Sequence, residues 1–199
     1  MIKFGIILAV ICLMATLVLA VTYEVTKPQI DVSMKNEEKE ALELILPEAD
    51  SFNEKTKDGI DYYEALKGKE LIGYCVKTVG NGYSGFIRII VGIDLNGVIT
   101  GVEVIEHSET PGLGAKIEEI KPGEKSPWFL KQFVGKPASE IEVNKNIDAI
   151  TGATVSSKAV TEAVNKAVSE FSEKINGAAH VMPAQAGIQK KNGFPLSRE

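Results

Sequence analysis

Between Asp148 and Val160 the chain reads DAITGATVSSKAV. Four hydroxyls, those of Thr151, Thr154, Ser156 and Ser157, surround a Gly152-Ala153 pair at the start of a helix-like run, with Lys158 one turn on. A helix start needs one capping oxygen for its orphan N–H groups, so this stretch carries more hydroxyls than structure alone requires. If Ser156 or Ser157 caps, Thr154 is spare. The unpaired N–H groups and the positive end of the helix dipole suit a phosphate there, and Lys158 adds a cation. The small Gly152 and Ala153 leave room for a bulky ligand to approach the backbone.

Other chemistries lack their parts. No Gly-rich run followed by Lys-Ser/Thr offers a nucleotide triphosphate cradle, and there is no dinucleotide-binding Gly fingerprint. His107 is the one histidine ahead of the C-terminal tail, and no Gly-x-Ser-x-Gly elbow accompanies it, which removes a hydrolytic triad. No Cys/His cluster is present to hold a metal, so neither a metal nor a catalytic side chain is expected. Charges of both signs are mixed along the chain, with 22 Lys+Arg against 27 Asp+Glu and a net charge of -5, which argues against nucleic acid as a partner.

The elements that must position these residues begin at a membrane. From Phe4 to Tyr23 about twenty residues pass without a charge, long enough as a helix to cross a hydrocarbon core of about 30 Å. Lys3 ahead of it sets the N-terminus in the cytoplasm and the rest of the chain on the extracytoplasmic side. A cleaved signal peptide, with small residues near Ala20, is the competing reading, but the apolar stretch exceeds the usual length of such a region. Ile11 before Cys12 excludes a lipoprotein. Cys75 is then the single exported cysteine and reads as a buried structural thiol.

The expected organisation is a cytoplasmic N-terminus and transmembrane helix over 1–24, a stalk and first helix over 25–50, one domain over 51–176, and a disordered tail over 177–199. Apolar residues Ala41, Leu42, Ile45 and Leu46 at helical spacing end at Pro47. Four strand-like runs follow, DYYEAL, KELIGYCVKTV, GFIRIIVGID and GVITGVEVIEH. Asn96-Gly97 between the last two predicts a type I′ hairpin turn. Pro127 suits a short helix start, and Trp128, Phe129 and Phe133 are spaced to enter the core. A last amphipathic helix is expected from Val155 or Ser156 to about Ile175, with Val160, Val164, Ala167, Val168 and Phe171 inward. The fold class is α+β: one N-terminal transmembrane helix, then an antiparallel sheet with packed helices.

DAITGATVSS resembles the flavinylation motif of the FMN-binding domain family. That family includes the G subunit of the Rnf electron transport complex and the C subunit of the sodium-translocating NADH:quinone reductase. Asp148, Thr151, Gly152, Ala153 and Thr154 fill every motif position. A second stretch, EHSETPGLGAKI, is similar to the family segment that folds over the flavin ring, with His107, Glu109, Thr110, Pro111, Gly112, Leu113 and Gly114 matching. The resemblance implies FMN joined by a phosphodiester to Thr154, installed by a separate flavin transferase that recognises Asp148. It implies too that Gly112 and Gly114 admit the ring, that Leu113 gives it an apolar face, and that Glu109 and Thr110 meet its heteroatoms. Thr151, Gly152, Ala153, Ser156, Ser157 and Lys158 belong to the same implied cofactor site.

The short length favours the Rnf family member over its longer quinone reductase counterpart. The function so implied is an electron-carrying subunit at the outer face of the inner membrane, within an ion-translocating ferredoxin:NAD oxidoreductase. It would be partnered by other membrane and iron-sulfur subunits and inactive alone. A stand-alone extracytoplasmic FMN carrier, or a component like the C subunit of the quinone reductase, is the alternative. A non-redox anchored binding module, in which the hydroxyls merely cap a helix, is the remoter one.

Overall fold

Alternating β-branched and aromatic residues over 51–107 close into one antiparallel meander of five strands in sequence order. The computed structural model describes residues 2–137, 141–143 and 145–174. Its elements are α1 (Ile2–Ile45), β1 (Ser51–Lys57), β2 (Ile60–Lys67), β3 (Glu70–Asn81), β4 (Phe86–Asp94), β5 (Ile99–His107) and α2 (Thr154–Lys174). Short 3-10 turns span Gly114–Glu118 and Leu130–Phe133 between β5 and α2. The tail at 177–199, with His180, and Ile175 at the expected end of the last helix lie outside the described residues.

The sheet is covered on both faces, which is why β4 reads as a nearly continuous apolar run. On one face Tyr62, Val76, Ile87, Ile89, Val91 and Ile93 pack under Val160, Val164, Val168 and Phe171 of α2, together with Phe129 and Phe133. Phe171 stands 4.7 Å from Tyr74 and 5.9 Å from Tyr62, ring centre to ring centre. The other face carries Tyr63, Ala65, Cys75 and Ile90 and is closed by Ala41, Leu42, Ile45 and Leu46 at the end of α1. Cys75 is wholly buried there, and burial pushes its thiol up to about 12, as a structural role requires. Trp128 sits at the rim of the core rather than within it, with the Lys121 ammonium 4.1 Å from its ring centre.

Three local expectations are corrected. A fifth strand, β1, precedes the four expected; apart from Phe52 its residues are exposed, so SFNEKTK shows no alternation, and its charges suit a sheet edge. The type I′ turn lies at Asp58-Gly59, where both φ angles are positive (51° and 78°), and not at Asn96-Gly97. At the latter only Gly97 is left-handed, because an Asp94 carboxylate oxygen accepts the N–H groups of Asn96 and Val98, each at 2.8 Å, and builds a wider turn. The stalk and first helix are one continuous helix with the apolar N-terminal segment, since Pro28 removes one ladder hydrogen bond without ending α1.

This single helix has one stretch long and apolar enough to cross a membrane. Its end, Ile45, seats against Gly92 and Gly101, whereas Thr26, Gln29, Ile30 and Ser33 line a hollow with Ile105 and Glu106. Strand β5 therefore runs back along α1 toward the apolar half. The β3–β4 tip at 82–85 and the segment leaving β5 lie at that same end of the sheet, because Ile87 pairs with His107.

Candidate cofactor site

Thr154 opens α2 and is exposed. The turn before it is closed by the Ala153 N–H donating to Ile150 O at 2.9 Å. Gly152 takes the left-handed φ of 81° that a Cβ would oppose. The first intrahelical bond runs from the Ser157 N–H to Ala153 O at 3.0 Å. Among the described residues no oxygen accepts from the N–H groups of Thr154, Val155 or Ser156, and the Thr151 and Thr154 hydroxyls engage no protein atom. Lys158, also exposed, lies one turn on from Thr154 on the same helix face.

The expected capping by Ser156 or Ser157 is not what these hydroxyls do. Both are buried on the inner face of α2. Ser157 Oγ accepts from the Ile150 N–H and donates to Ala153 O, each at 3.0 Å. Ser156 Oγ donates to Glu109 Oε2 at 2.8 Å. The amino end of the helix is thus left bare of side-chain caps, and its N–H groups stay available to an anion.

The segment leaving β5 folds over this end. The N–H groups of Leu113 and Ala115 donate to Thr110 O at 3.1 and 3.2 Å, closing a turn whose tip, Pro111 to Leu113, is exposed. The Leu113 side chain lies over Gly152, where an added Cβ would meet Leu113 Cδ2 at 3.4 Å. Thr110 Oγ1 shares a hydrogen bond of 3.1 Å with Ser84 Oγ. The two motif stretches therefore meet, with Leu113 over Gly152 and Gly114 against Ser156. Glu109 is turned the other way, 5% exposed, with its carboxylate occupied by protein donors, and Gly114 and Ala153 are buried beneath.

His107 holds the root of the segment. Its Nδ1 accepts the Glu109 N–H at 3.1 Å, so the ring proton belongs on Nε2, which faces Glu118 Oε2 at 3.2 Å. Glu103 on β5 is pushed up to about 6, chiefly by burial and further by the charge of Glu118.

Two positioning residues escaped the sequence reading. Gln132 brackets the backbone of Asp148, accepting its N–H at 2.8 Å and donating to its carbonyl at 3.2 Å, which leaves the Asp148 carboxylate exposed. Ser84 meets Glu109 and Thr110 from the β3–β4 tip. Gln132 gave no signal in a run read for its aromatic residues. The loop GNGYSG was longer and richer in glycine than a hairpin needs, which was a signal.

An exposed hydroxyl, three open N–H groups and a cation fit a phosphoryl group, and the bare Gly152 surface under Leu113 fits a flat apolar body. No metal-holding group of three His, Cys, Asp or Glu occurs among the described residues.

Comparison with known proteins covers the same stretches of the chain. The FMN-binding domain model matches residues 82–169, and the RnfG N-terminal region model matches residues 1–45. The G subunit of the ion-translocating oxidoreductase complex of Methanosarcina acetivorans is 37% identical over 174 residues, covering 81% of this chain and 89% of the relative. The G subunit of the proton-translocating ferredoxin:NAD(+) oxidoreductase complex of Clostridium ljungdahlii is 32% identical, covering 85% and 91%. That of the Na(+)-translocating complex of Acetobacterium woodii is 34% identical, covering 85% and 90%.

Proposed function

Because the chain belongs to the G-subunit family of ion-translocating oxidoreductase complexes, we propose that it is the FMN-carrying electron-transfer subunit of a ferredoxin:NAD(+) oxidoreductase complex. The flavin phosphate is esterified to Thr154 Oγ1: the hydroxyl oxygen would displace the nucleoside monophosphate of a flavin dinucleotide donor, whose phosphoanhydride bond breaks as the phosphoester forms, while the hydroxyl proton passes to the transferase. One observation carries the attachment site: the Thr154 hydroxyl is exposed and unengaged at an uncapped helix end, while its neighbours Ser156 and Ser157 are spent inside the fold.

When bound, FMN supplies one- or two-electron transfer that no side chain offers. The residues do the rest. The N–H groups of Thr154, Val155 and Ser156 and the Lys158 ammonium neutralise the phosphate. Thr151 and Gly152 keep the surface low, and Leu113 with Pro111, Gly112 and the Thr110 hydroxyl offers the ring an apolar side and a polar edge. A covalent link removes the need for a deep pocket, since a group that cannot dissociate requires no equilibrium affinity. Asp148, outward with its backbone held by Gln132, is the recognition residue for the flavin transferase.

Anchoring falls to the apolar half of α1, with the N-terminus cytoplasmic and the domain on the extracytoplasmic side of the inner membrane. Its partners are the membrane and iron-sulfur subunits of the complex. The relatives' names carry protons in one case and sodium in another, so the family leaves the coupling ion open.

Co-expression with a flavin transferase tests the attachment. The wild-type chain should give a band fluorescent after denaturation and a mass increment of one esterified FMN, and Thr154→Ala should lose both. A fluorescent Thr154→Ala band would reject the site.

A further inference from the structure

Glu109 does not face the surface where the cofactor is proposed to lie. Its carboxylate is 5% exposed and each oxygen has a donor: Oε1 takes the Ser84 N–H at 3.1 Å, and Oε2 takes the Ser156 hydroxyl at 2.8 Å. Two glycines make room for it. A Cβ on Gly82 would stand 2.1 Å from Oε1, and one on Gly114 would stand 2.1 Å from Oε2 and 2.7 Å from Ser156 Oγ. A carboxylate this deep is tolerable only with its oxygens bonded, so the three segments that supply the donors and the space are held in register by it. These segments are the β3–β4 tip, the segment leaving β5 and the first turn of α2.

The consequence reaches Thr154 through helix geometry. Successive residues turn by about 100°, so Ser156 and Thr154 project roughly 200° apart and point to opposite sides of α2. Pinning Ser156 inward turns Thr154 outward, to the solvent side of α2. Ser156 is 1% exposed and Thr154 is exposed, as that rotation demands.

We infer that Glu109, acting through Ser156, is a positioning residue for flavin attachment, setting the rotation of the first turn of α2 so that the Thr154 hydroxyl is presented to the transferase. This rests on the attachment at Thr154 proposed above. It also gives Glu109 a different part from the one its motif suggests, since it holds the attachment residue and does not contact the flavin ring.

The test is the rate of flavin attachment to the full-length chain by purified flavin transferase, with a flavin dinucleotide as donor and a nucleoside monophosphate released. It is read as fluorescence after denaturation, with kcat and KM separated and a thermal melt of each variant alongside. Glu109→Ala and Ser156→Ala should each lower kcat by about tenfold or more through misorientation of the hydroxyl, with KM little changed. Glu109→Gln should restore attachment to within about twofold: its amide oxygen can accept the Ser84 N–H while its NH2 donates to Ser156 Oγ, so the geometry survives without the charge. The flavin absorption bands and midpoint potential of Glu109→Gln should then match wild type.

Wild-type attachment rates in both alanine variants would overturn the inference. So would a Glu109→Gln chain that attaches flavin normally but shifts its bands or potential, because the carboxylate would then act on the ring. If Glu109→Ala does not yield folded protein, Ser156→Ala decides the matter. Thr154→Ala in parallel keeps the two ideas apart: a labelled Thr154→Ala chain defeats the attachment site, whereas a dark Thr154→Ala chain beside fast-labelling alanine variants defeats only the role of Glu109.

Discussion

A half-buried carboxylate on β5 couples the stability of the fold to pH. Glu103 is held at about 6, above its ordinary 4.5, by burial first and by Glu118 second. A proton bound more tightly in the folded chain adds stability that is full below about 4.5 and is lost as pH rises through about 6. Glu103→Gln should therefore raise stability at pH 7.5 by about 1 kcal/mol, a figure discounted for the solvent that still reaches the group, and leave pH 4 unchanged. Urea unfolding at the two pH values measures it. At this scale the sequence was informative where a residue's role is local. The start of α2 falls within two residues of where the apolar period puts it, because a helix start is a short-range structure. The direction of Glu109 was not legible. Lying between Ser108 and Thr110 it reads as a surface residue, and its burial depends on Ser84 and Ser156, 25 and 47 positions away.

Four elements meet at Lys77. Its ammonium on β3 lies 3.1 Å from Glu38 of α1 and 2.9 Å from Glu54 of β1, and 4.8 Å from the ring centre of Tyr63 on β2. The Tyr63 hydroxyl donates to Glu38 at 2.9 Å, and its own ionisation is pushed up to about 12, chiefly by burial. Burial pulls the Lys77 ammonium down, but the hydrogen bonds with Tyr63, Glu54 and Glu38 outweigh it and leave it raised. A raised lysine contributes stability that is complete below its ordinary 10.5 and fades as pH climbs through the folded value. Lys77→Met should cost about 1 kcal/mol at neutral pH, since these groups are only partly buried, and should flatten the loss of stability above pH 10.5. Thermal melts from pH 7 to 11 would show it. Helix α2 and strands β2, β3 and β5 were readable from the faces they bury, and β4 from its nearly continuous apolar run, covered on both sides. Strand β1 was not, because an edge strand that buries little beyond Phe52 keeps no alternation. The turn at Asn96 departs from its dipeptide preference because the Asp94 side chain decides it.

Across the whole molecule the apolar segment of α1 was visible as a run without charge, but its continuity to Ile45 was not. Pro28 and the polar stretch after it look like a break, and only packing at the far end shows the helix carrying through. That packing predicts how the chain can be shortened. Beginning at Met34 keeps Ala41, Leu42, Ile45 and Leu46 over the sheet, so this chain should leave the membrane fraction and still accept flavin. Beginning at Glu48 uncovers Tyr63, Cys75 and Ile90, and this chain should aggregate. Fractionation and size-exclusion chromatography separate the two outcomes. The return of β5 along α1 has a consequence for reach. The rod that fixes the domain's altitude also fixes its compass heading, since each residue of helix adds about 1.5 Å of height and about 100° of turn. Two residues gained or lost beyond Tyr23 would barely change how far Thr154 stands from the bilayer, yet would swing it to the opposite flank. Length between membrane and sheet is for this molecule a setting of bearing as much as of distance.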